Sequence, residues 1–367
     1  MDAQADLPVP RAALLRALRR IEALAGLTED DLAPLPAKGT AHGHVAIVPE
    51  IDGQRLCARI AYAHPGDPTA PARLAVQAEA FRRCAPSGVT PRLFATVPPD
   101  EALPGGLLVV QRIEGRTPWL PSELQAMART LAAIHALPVP APGDAPPLPF
   151  HDDPAAALLA AIEANTPFFA RMAIAERPRR MLEEELAAAR AYVGGRRPPC
   201  PRVLALSDTH PGNFLVDGDG KAWFVDLEKV NYGAAAVDLA HATLATSTRW
   251  DRDVNLSLAH PDIEAFYRTY LNLVGPERAA ALRPHLLPLR RMTWLRTMAF
   301  FARWWVQTDP SYAGTEPDRW SDSGLSFGAK AHFRRVIAGH FDSASVGWIR
   351  REWEGRHALT FYRADLH

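Results

Sequence analysis

Ser207-Asp208-Thr209-His210-Pro211-Gly212-Asn213 leads into Phe214-Leu215-Val216, Asp217-Gly218-Asp219-Gly220-Lys221, Ala222-Trp223-Phe224-Val225 and Asp226-Leu227-Glu228. Two short apolar runs flanking an Asp-Gly signal form the pattern of a β-hairpin. With Asp219 and Gly220 as the two turn residues, positions summing to 439 face each other, which sets Asn213 opposite Asp226 at the open end. An amide and a carboxylate then converge on one place. Hard oxygen donors of this kind suit Mg²⁺, which takes one or two protein ligands and fills its other positions with water and phosphate oxygens. Asp217 and Asp219 read as turn formers.

Asp208 lies five residues before Asn213, and Pro211 and Gly212 let the chain turn between them. In protein kinases the same interval separates the catalytic Asp from a metal-binding Asn, and a second Asp after the hairpin holds the metal. Together with Val237-Asp238-Leu239-Ala240, these residues resemble the aminoglycoside phosphotransferase and choline kinase superfamily, nearer its bacterial choline-kinase-like branch. Other segments resemble it in order. Gly39 to Gly43 match the phosphate loop, Leu56-Cys57-Ala58-Arg59-Ile60 the third strand and Glu79 the helix glutamate. Leu108 to Gly115 match the interlobe hinge, and Leu131-Ala132-Ala133-Ile134-His135 the helix that follows it.

The resemblance implies an α+β, bilobal protein-kinase-like fold. An N-lobe over residues 1–115, an antiparallel sheet plus a helix, would bind the nucleotide phosphates; a larger, mainly helical C-lobe over 116–367 would carry the catalytic loop and the acceptor site. The implied chemistry is transfer of the γ-phosphate of ATP, with Mg²⁺, to a hydroxyl of a small molecule. Asp208 would be the base, and Asn213 and Asp226 the metal ligands. Arg59, Glu79, Gly39, Gly43, Gln111 and Ile113 would hold the nucleotide, with Glu79 orienting Arg59. His210 would touch acceptor or phosphate, or make a structural loop hydrogen bond. Glu228 would support the metal or cap the loop into Asn231-Tyr232-Gly233, and Asp238 would brace the catalytic loop or stabilise a helix start.

Two positions depart from the pattern. Lysine occurs only at 38, 221, 229 and 330, so Arg59 occupies the third-strand position that is often Lys. A guanidinium keeps its charge and can contact phosphate bidentately. Ser207, preceded by Leu206, stands where relatives usually show a small residue preceded by His. These departures leave open a catalytically silent nucleotide-binding pseudokinase or scaffold. His42 and His44 either touch phosphate or are solvated loop histidines, and they propose no metal site.

The preferred acceptor is a choline-like amino alcohol or another hydroxylated metabolite, because Asp226-Leu227-Glu228 with Asn231-Tyr232 looks closer to the choline and ethanolamine kinase variant. Trp294, Phe300, Phe301, Trp304 and Trp305, with Tyr267 and Tyr270, are either faces for a quaternary ammonium group or core. The alternative, an aminoglycoside-type antibiotic kinase, calls for clustered acids. Asp251, Asp253, Asp262 and Glu264 are the candidates, interleaved with Arg249, Arg252 and Arg268.

Composition agrees with a two-lobed enzyme, since 367 residues with 48% apolar content can fill two cores. Acidic and basic residues balance at 41 each and no basic run stands out, which argues against a nucleic-acid surface. Cys57, Cys84 and Cys200 form no metal spacing and fit a reducing cytoplasm. The N-terminus lacks a signal-peptide pattern, and no apolar run reaches the roughly 18 residues of a membrane span. Helical periodicity is expected over 11–25, 72–85, 122–136 with Ser122 as cap, from 154 and 177, over 292–306 and over 329–338; strands are expected over 44–62 around Gly53, at 92–97, 107–113 and 203–206. The proline-rich segment 138–149 reads as a stiff loop. No heptad or apolar seam defines an oligomeric state.

Overall fold

The computed structural model describes residues 9–35, 42–63, 67–251, 253–309, 327–356 and 358–363, with backbone alone for 327–330. Gly39 and most of the turn-rich segment from Asp309 to Gly324 lie outside the described residues. Strands β1 (Leu32–Pro34), β2 (His42–Ile51), β3 (Gln54–Ala61), β4 (Leu93–Val97) and β5 (Leu107–Gln111) form one antiparallel sheet in the order β1-β2-β3-β5-β4. Asp52 and Gly53, both at positive φ, make the two-residue turn between β2 and β3, whose backbone twist matches that of the paired strands.

Alternation along β3 sorts its side chains onto the two faces of the sheet. Leu56, Ala58 and Ile60 join the apolar cluster that α1 (Arg11–Leu18) covers, whereas Cys57 joins the cluster shared with α2 (Ala70–Cys84). Arg59 belongs to that second face, and its cross-strand partner on β2 is His44. Helix α1 is shorter than its periodicity suggests. It ends at Leu18, Arg19 Nε donates to the Leu27 carbonyl, and Ile21 turns to extended backbone so that the chain can feed β1.

Beyond β5 the chain is mainly helical. Helix α3 (Leu124–His135) starts after Ser122, whose hydroxyl donates to the Trp119 carbonyl and caps nothing. Then come α4 (Pro154–Glu163), α5 (Pro167–Arg171) and α6 (Glu176–Gly194). Asp153 caps α4 by accepting from the Ala155 and Ala156 amides. Strand β6 (Arg202–Ala205) pairs with β9 (Asn231–Ala234), and β7 (Phe214–Val216) with β8 (Ala222–Phe224), all antiparallel. Helices α7 (Ala235–Thr243), α8 (Ala245–Thr248), α9 (His260–Val274), α10 (Pro276–Gln307), α11 (Phe327–His340) and α12 (Ser343–Arg350) complete it. No helix among the described residues is long and apolar enough to cross a membrane.

Helix α10 is the spine of this part. It runs for 32 residues, through Pro284 and Pro288, and touches α4 to α9. Its aromatic residues are core. Trp304 is 2% exposed and meets Phe333 edge-on, Trp294 is equally buried, and Trp305 faces the other way, beneath the Arg334 guanidinium. Tyr267 is stacked on Phe361, and Tyr270 hydrogen-bonds His135. These rings, Trp304 among them, are used in packing.

Arg290 of α10, fully buried, donates to Glu352 Oε2 (2.7 Å) and to Thr243 Oγ1 (2.6 Å), tying the chain after α12 to the spine and to α7. Removing one partner of a buried pair strands the other charge. Glu352→Ala is therefore expected to cost about 3–5 kcal/mol in chemical denaturation, and the joint Arg290→Met, Glu352→Leu variant markedly less.

Candidate active site

The hairpin that carries the site is real in kind but shifted in register. Phe214 pairs with Phe224, Leu215 with Trp223 and Val216 with Ala222, so facing positions sum to 438. Gly220 at φ 78° lengthens the loop to three residues, closed by Asp217 N to Lys221 O and Gly220 N to Asp217 O. Asp217 organises this loop, accepting from the Asp219 and Lys221 amides and from Trp223 Nε1. The Asn213 carbonyl consequently accepts from Val225, and Asp226 sits one position further on. A one-residue shift exchanges the faces of a strand, so Asn213 and Asp226 are not a facing pair.

Each instead enters the site through its own contact. Asn213 Nδ2 donates to the Asp208 carbonyl (2.8 Å), which commits the amide nitrogen and leaves the amide oxygen as the group able to meet a cation. Asp226 Oδ1 accepts from Arg59 Nη2 (2.5 Å). Burial pushes the Asp226 carboxyl up, but the Arg59 guanidinium outweighs it and holds it below its ordinary value.

The loop before Asp208 is held from below. Ser207 has φ 63°, a left-handed conformation that costs a non-glycine residue about 1 kcal/mol or more. Asp238, fully buried, supplies the restraint. Its Oδ2 accepts from Leu206 N (2.7 Å), its Oδ1 from Ser207 N (2.7 Å), and His135 Nε2 lies 3.0 Å from Oδ2. Asn231 Nδ2 donates to Ser207 Oγ, Arg296 Nη2 to the Ser207 carbonyl, and Thr209 Oγ1 to the Asp238 carbonyl. Asp238 is the fourth residue of α7 and braces this loop from there rather than capping its own helix. Leu206 is buried apolar packing.

Asp208 emerges from this frame with its side chain 19% exposed. Lys229 Nζ donates to its Oδ2, and His241 Nδ1 lies 3.8 Å from Oδ1. Burial alone would raise the carboxyl, but the Lys229 ammonium, helped by His210 and His241, holds it well below the usual carboxylate range. His210 makes no structural loop hydrogen bond with its ring. Among the described residues its buried Nδ1 has no partner, its ring meets that of His241 edge-on, and its carbonyl accepts from Asn213 N. A Cβ at Gly212 would stand 2.1 Å from Asp251 Oδ2, so the Asp251 side chain would have to move to admit one.

On the sheet side, Arg59 Nη2 also donates to His42 Nδ1 (3.1 Å), which turns the His42 Nε2 proton toward Gln77 Oε1 (3.1 Å). Arg59 Nε is buried and has no hydrogen-bond partner among the described residues. The expected Glu79–Arg59 pair does not form. Residues 77 and 79 are about 200° apart around a helix, and Glu79 is captured by Arg83 Nε (2.7 Å) and Arg82 (3.3 Å), so α2 presents Gln77 to the His42–Arg59 pair. Gly43 lies within β2, paired with Ile60, and of the flanking histidines His42 is buried and His44 half-buried. Desolvation, reinforced by Arg59, depresses His42 to about 3 and His44 to about 4.

Of the hinge positions, Gln111 N donates to the Arg92 carbonyl and Arg112 N to that of Arg55, so Ile113 is the first position whose main chain makes no hydrogen bond among the described residues. Glu228 neither caps the loop nor stands alone: its oxygens lie 3.4 Å from His42 Nδ1 and 3.9 Å from Lys229 Nζ, while Asn231 Nδ2 closes that loop onto the Lys229 carbonyl. Burial, with the neighbouring Asp226 carboxylate, pushes the Glu228 carboxyl up. The acids considered for a polycation each have local partners: Asp262 accepts from Ala259 N, Glu264 from Thr360, and Asp251, which abuts Gly212, from Asp253 N. Sequence reasoning passed over Lys229, Gln77, His241 and Arg296. Only Lys229 carried a signal, as one of four lysines and the neighbour of Asp226-Leu227-Glu228.

Residues 50–282, more than half the chain, match the model of the phosphotransferase enzyme family. The chain belongs to that family. Among solved structures it is similar to a choline kinase from Cryptosporidium parvum Iowa II (13% identity, TM-score 0.57, 93% of this chain and 96% of that one). It is also similar to a macrolide 2′-phosphotransferase from Brachybacterium faecium (17%, 0.55, 88% and 96%) and to a spectinomycin phosphotransferase in complex with ADP and spectinomycin (12%, 0.52, 87% and 91%). No curated protein sequence matches the chain. At these identities the likeness is one of fold, and that fold is the α+β, protein-kinase-like one, an antiparallel sheet followed by a helical part.

Two outcomes test the geometry. Asp238→Ala leaves the Leu206 and Ser207 amides and His135 without their acceptor, and is expected to lower stability by about 3 kcal/mol or more in thermal or chemical melting. His42, depressed to about 3 from an ordinary 6.5, is neutral when folded, so between these values the unfolded chain binds the extra proton. Stability present above pH 6.5 is then lost as pH falls toward 3, and His42→Gln removes up to about 1.4 kcal/mol per pH unit from that slope, read from melts at pH 7 and pH 5.

Proposed function

We propose that the protein transfers the γ-phosphate of ATP to a hydroxyl of a small molecule. One observation carries the reading: Asp208 is joined through Asn213, whose side chain bonds the Asp208 carbonyl and whose own carbonyl accepts from Val225 N, to the strand end where Asp226 pairs with the buried Arg59. The orphaned Arg59 Nε supports a phosphate partner, because a buried guanidinium N–H without an acceptor is costly. Ile113 supplies free main-chain groups for the adenine edge. The Asn213 amide oxygen and the Asp226 carboxylate are hard donors of the kind Mg²⁺ takes, so these two side chains would hold it. When bound it would neutralise charge on the phosphates.

Asp208 orients the acceptor hydroxyl and takes its proton. The acceptor oxygen forms a bond to the γ-phosphorus as the bond from that phosphorus to the bridging oxygen breaks, and ADP leaves with the electron pair. Positioning and charge neutralisation provide most of the acceleration. The acceptor is a choline-like amino alcohol or another small hydroxylated metabolite. Interleaving of Asp251, Asp253, Asp262 and Glu264 with Arg249, Arg252 and Arg268 in sequence speaks against a polycationic aminoglycoside, and burial of Trp304 removes the aromatic cage as a reason to prefer choline itself. The nucleotide part is residues 1–115 and the acceptor part 116–367. Three unpaired cysteines support a reducing, cytoplasmic setting.

Asp208→Asn is expected to slow turnover by about 10²–10⁴-fold while Mg-ADP binding survives, measured over a panel of choline, ethanolamine, aminoglycosides, sugars and hydroxylated amino acids. Wild-type turnover in that variant overturns the assignment of the base. Nucleotide binding without turnover on any member favours the silent scaffold instead.

A further inference from the structure

Lys229 forms an ion pair that the reaction described above cannot keep. Its ammonium donates to Asp208 Oδ2 and lies 3.9 Å from Glu228 Oε1, yet its side chain is 53% exposed and free to swing. Among the described residues, three other cations of this region are held in place. Arg59 is 5% exposed, with Nη2 held by both Asp226 and His42. Arg296 supports the Ser207 carbonyl, and Lys221, at the hairpin loop, is committed to the Gly88 carbonyl and the face of Trp223.

A base one hydrogen bond from the acceptor oxygen places Lys229, itself one hydrogen bond from the base, within about 6 Å of the acceptor oxygen, and so beside the phosphoryl group that this oxygen receives. Charge on that group's oxygens needs a cation at short range, and an arginine locked between a carboxylate and an imidazole on β3 cannot follow it to the acceptor. We propose that Lys229 is a phosphate-binding residue: it neutralises Asp208 in the free protein and moves to the terminal phosphate of bound nucleotide, freeing Asp208 for the acceptor. The inference rests on the phosphotransferase reading. Lys229 stays protonated throughout and takes no part in the bond exchange. A lysine suits the task because its compact charge sits on a flexible stem.

The test is calorimetric titration of the full chain with Mg-ADP and with the Mg complex of AMPPNP, a non-hydrolysable ATP analogue, so it does not depend on knowing the acceptor. Lys229→Met is expected to weaken AMPPNP binding about tenfold while changing ADP binding less than about twofold, and Lys229→Arg to restore most of the difference. Melting curves establish that both variants are folded. Equal loss for both nucleotides, or no loss for either, overturns the assignment of Lys229 and leaves the phosphotransferase reading standing. Failure of the wild-type chain to bind either nucleotide overturns both.

Discussion

The buried carboxylate of Asp238 is the constraint on which the site depends. A charge at full burial is tolerated only when its oxygens are paired, and here two backbone amides and a histidine pair them. The same bonds pin Leu206 and Ser207 and hold Ser207 in a left-handed conformation that its side chain disfavours. That backbone turn sends the Asp208 side chain out toward Lys229. Helix α3 contributes through His135, α9 through the Tyr270 hydroxyl on that histidine, and α10 through Arg296 on the Ser207 carbonyl. Much of the helical packing therefore converges on three residues of loop.

Around that loop the charges are arranged in two compensated pairs, Lys229 with Asp208 and Arg59 with Asp226. Without their cations, two carboxylates so close would raise one another's pKa. The pairs differ in mobility, since Arg59 is almost fully enclosed and Lys229 is half exposed. A fixed cation suits a nucleotide's bridging phosphates and a mobile one a group in transit. The division also explains how an arginine serves at the third-strand position: it is held by Asp226 and His42, so Glu79 is free to bond Arg83, which in turn reaches the Tyr232 hydroxyl and the carbonyls of Asp144 and Pro146.

The chain's own order of residues determined its family, the alternation of β2 and β3, the hairpin at 214–224 and the types of group at 208, 213 and 226, because turn chemistry and two-residue periodicity act over a few neighbours. Tertiary structure decided the rest. The hairpin register moved by one residue because a three-residue loop with Gly220 in the left-handed region closed it. Glu79 lost Arg59 to nearer arginines on its own helix, and Trp304 went to the core because α10 is enclosed by its neighbours. Lys229 met Asp208 across 21 residues of sequence, a contact that exists only once β6 and β9 are paired. Which side chain meets which depends on the packing of elements distant in the chain, and no local pattern encodes it.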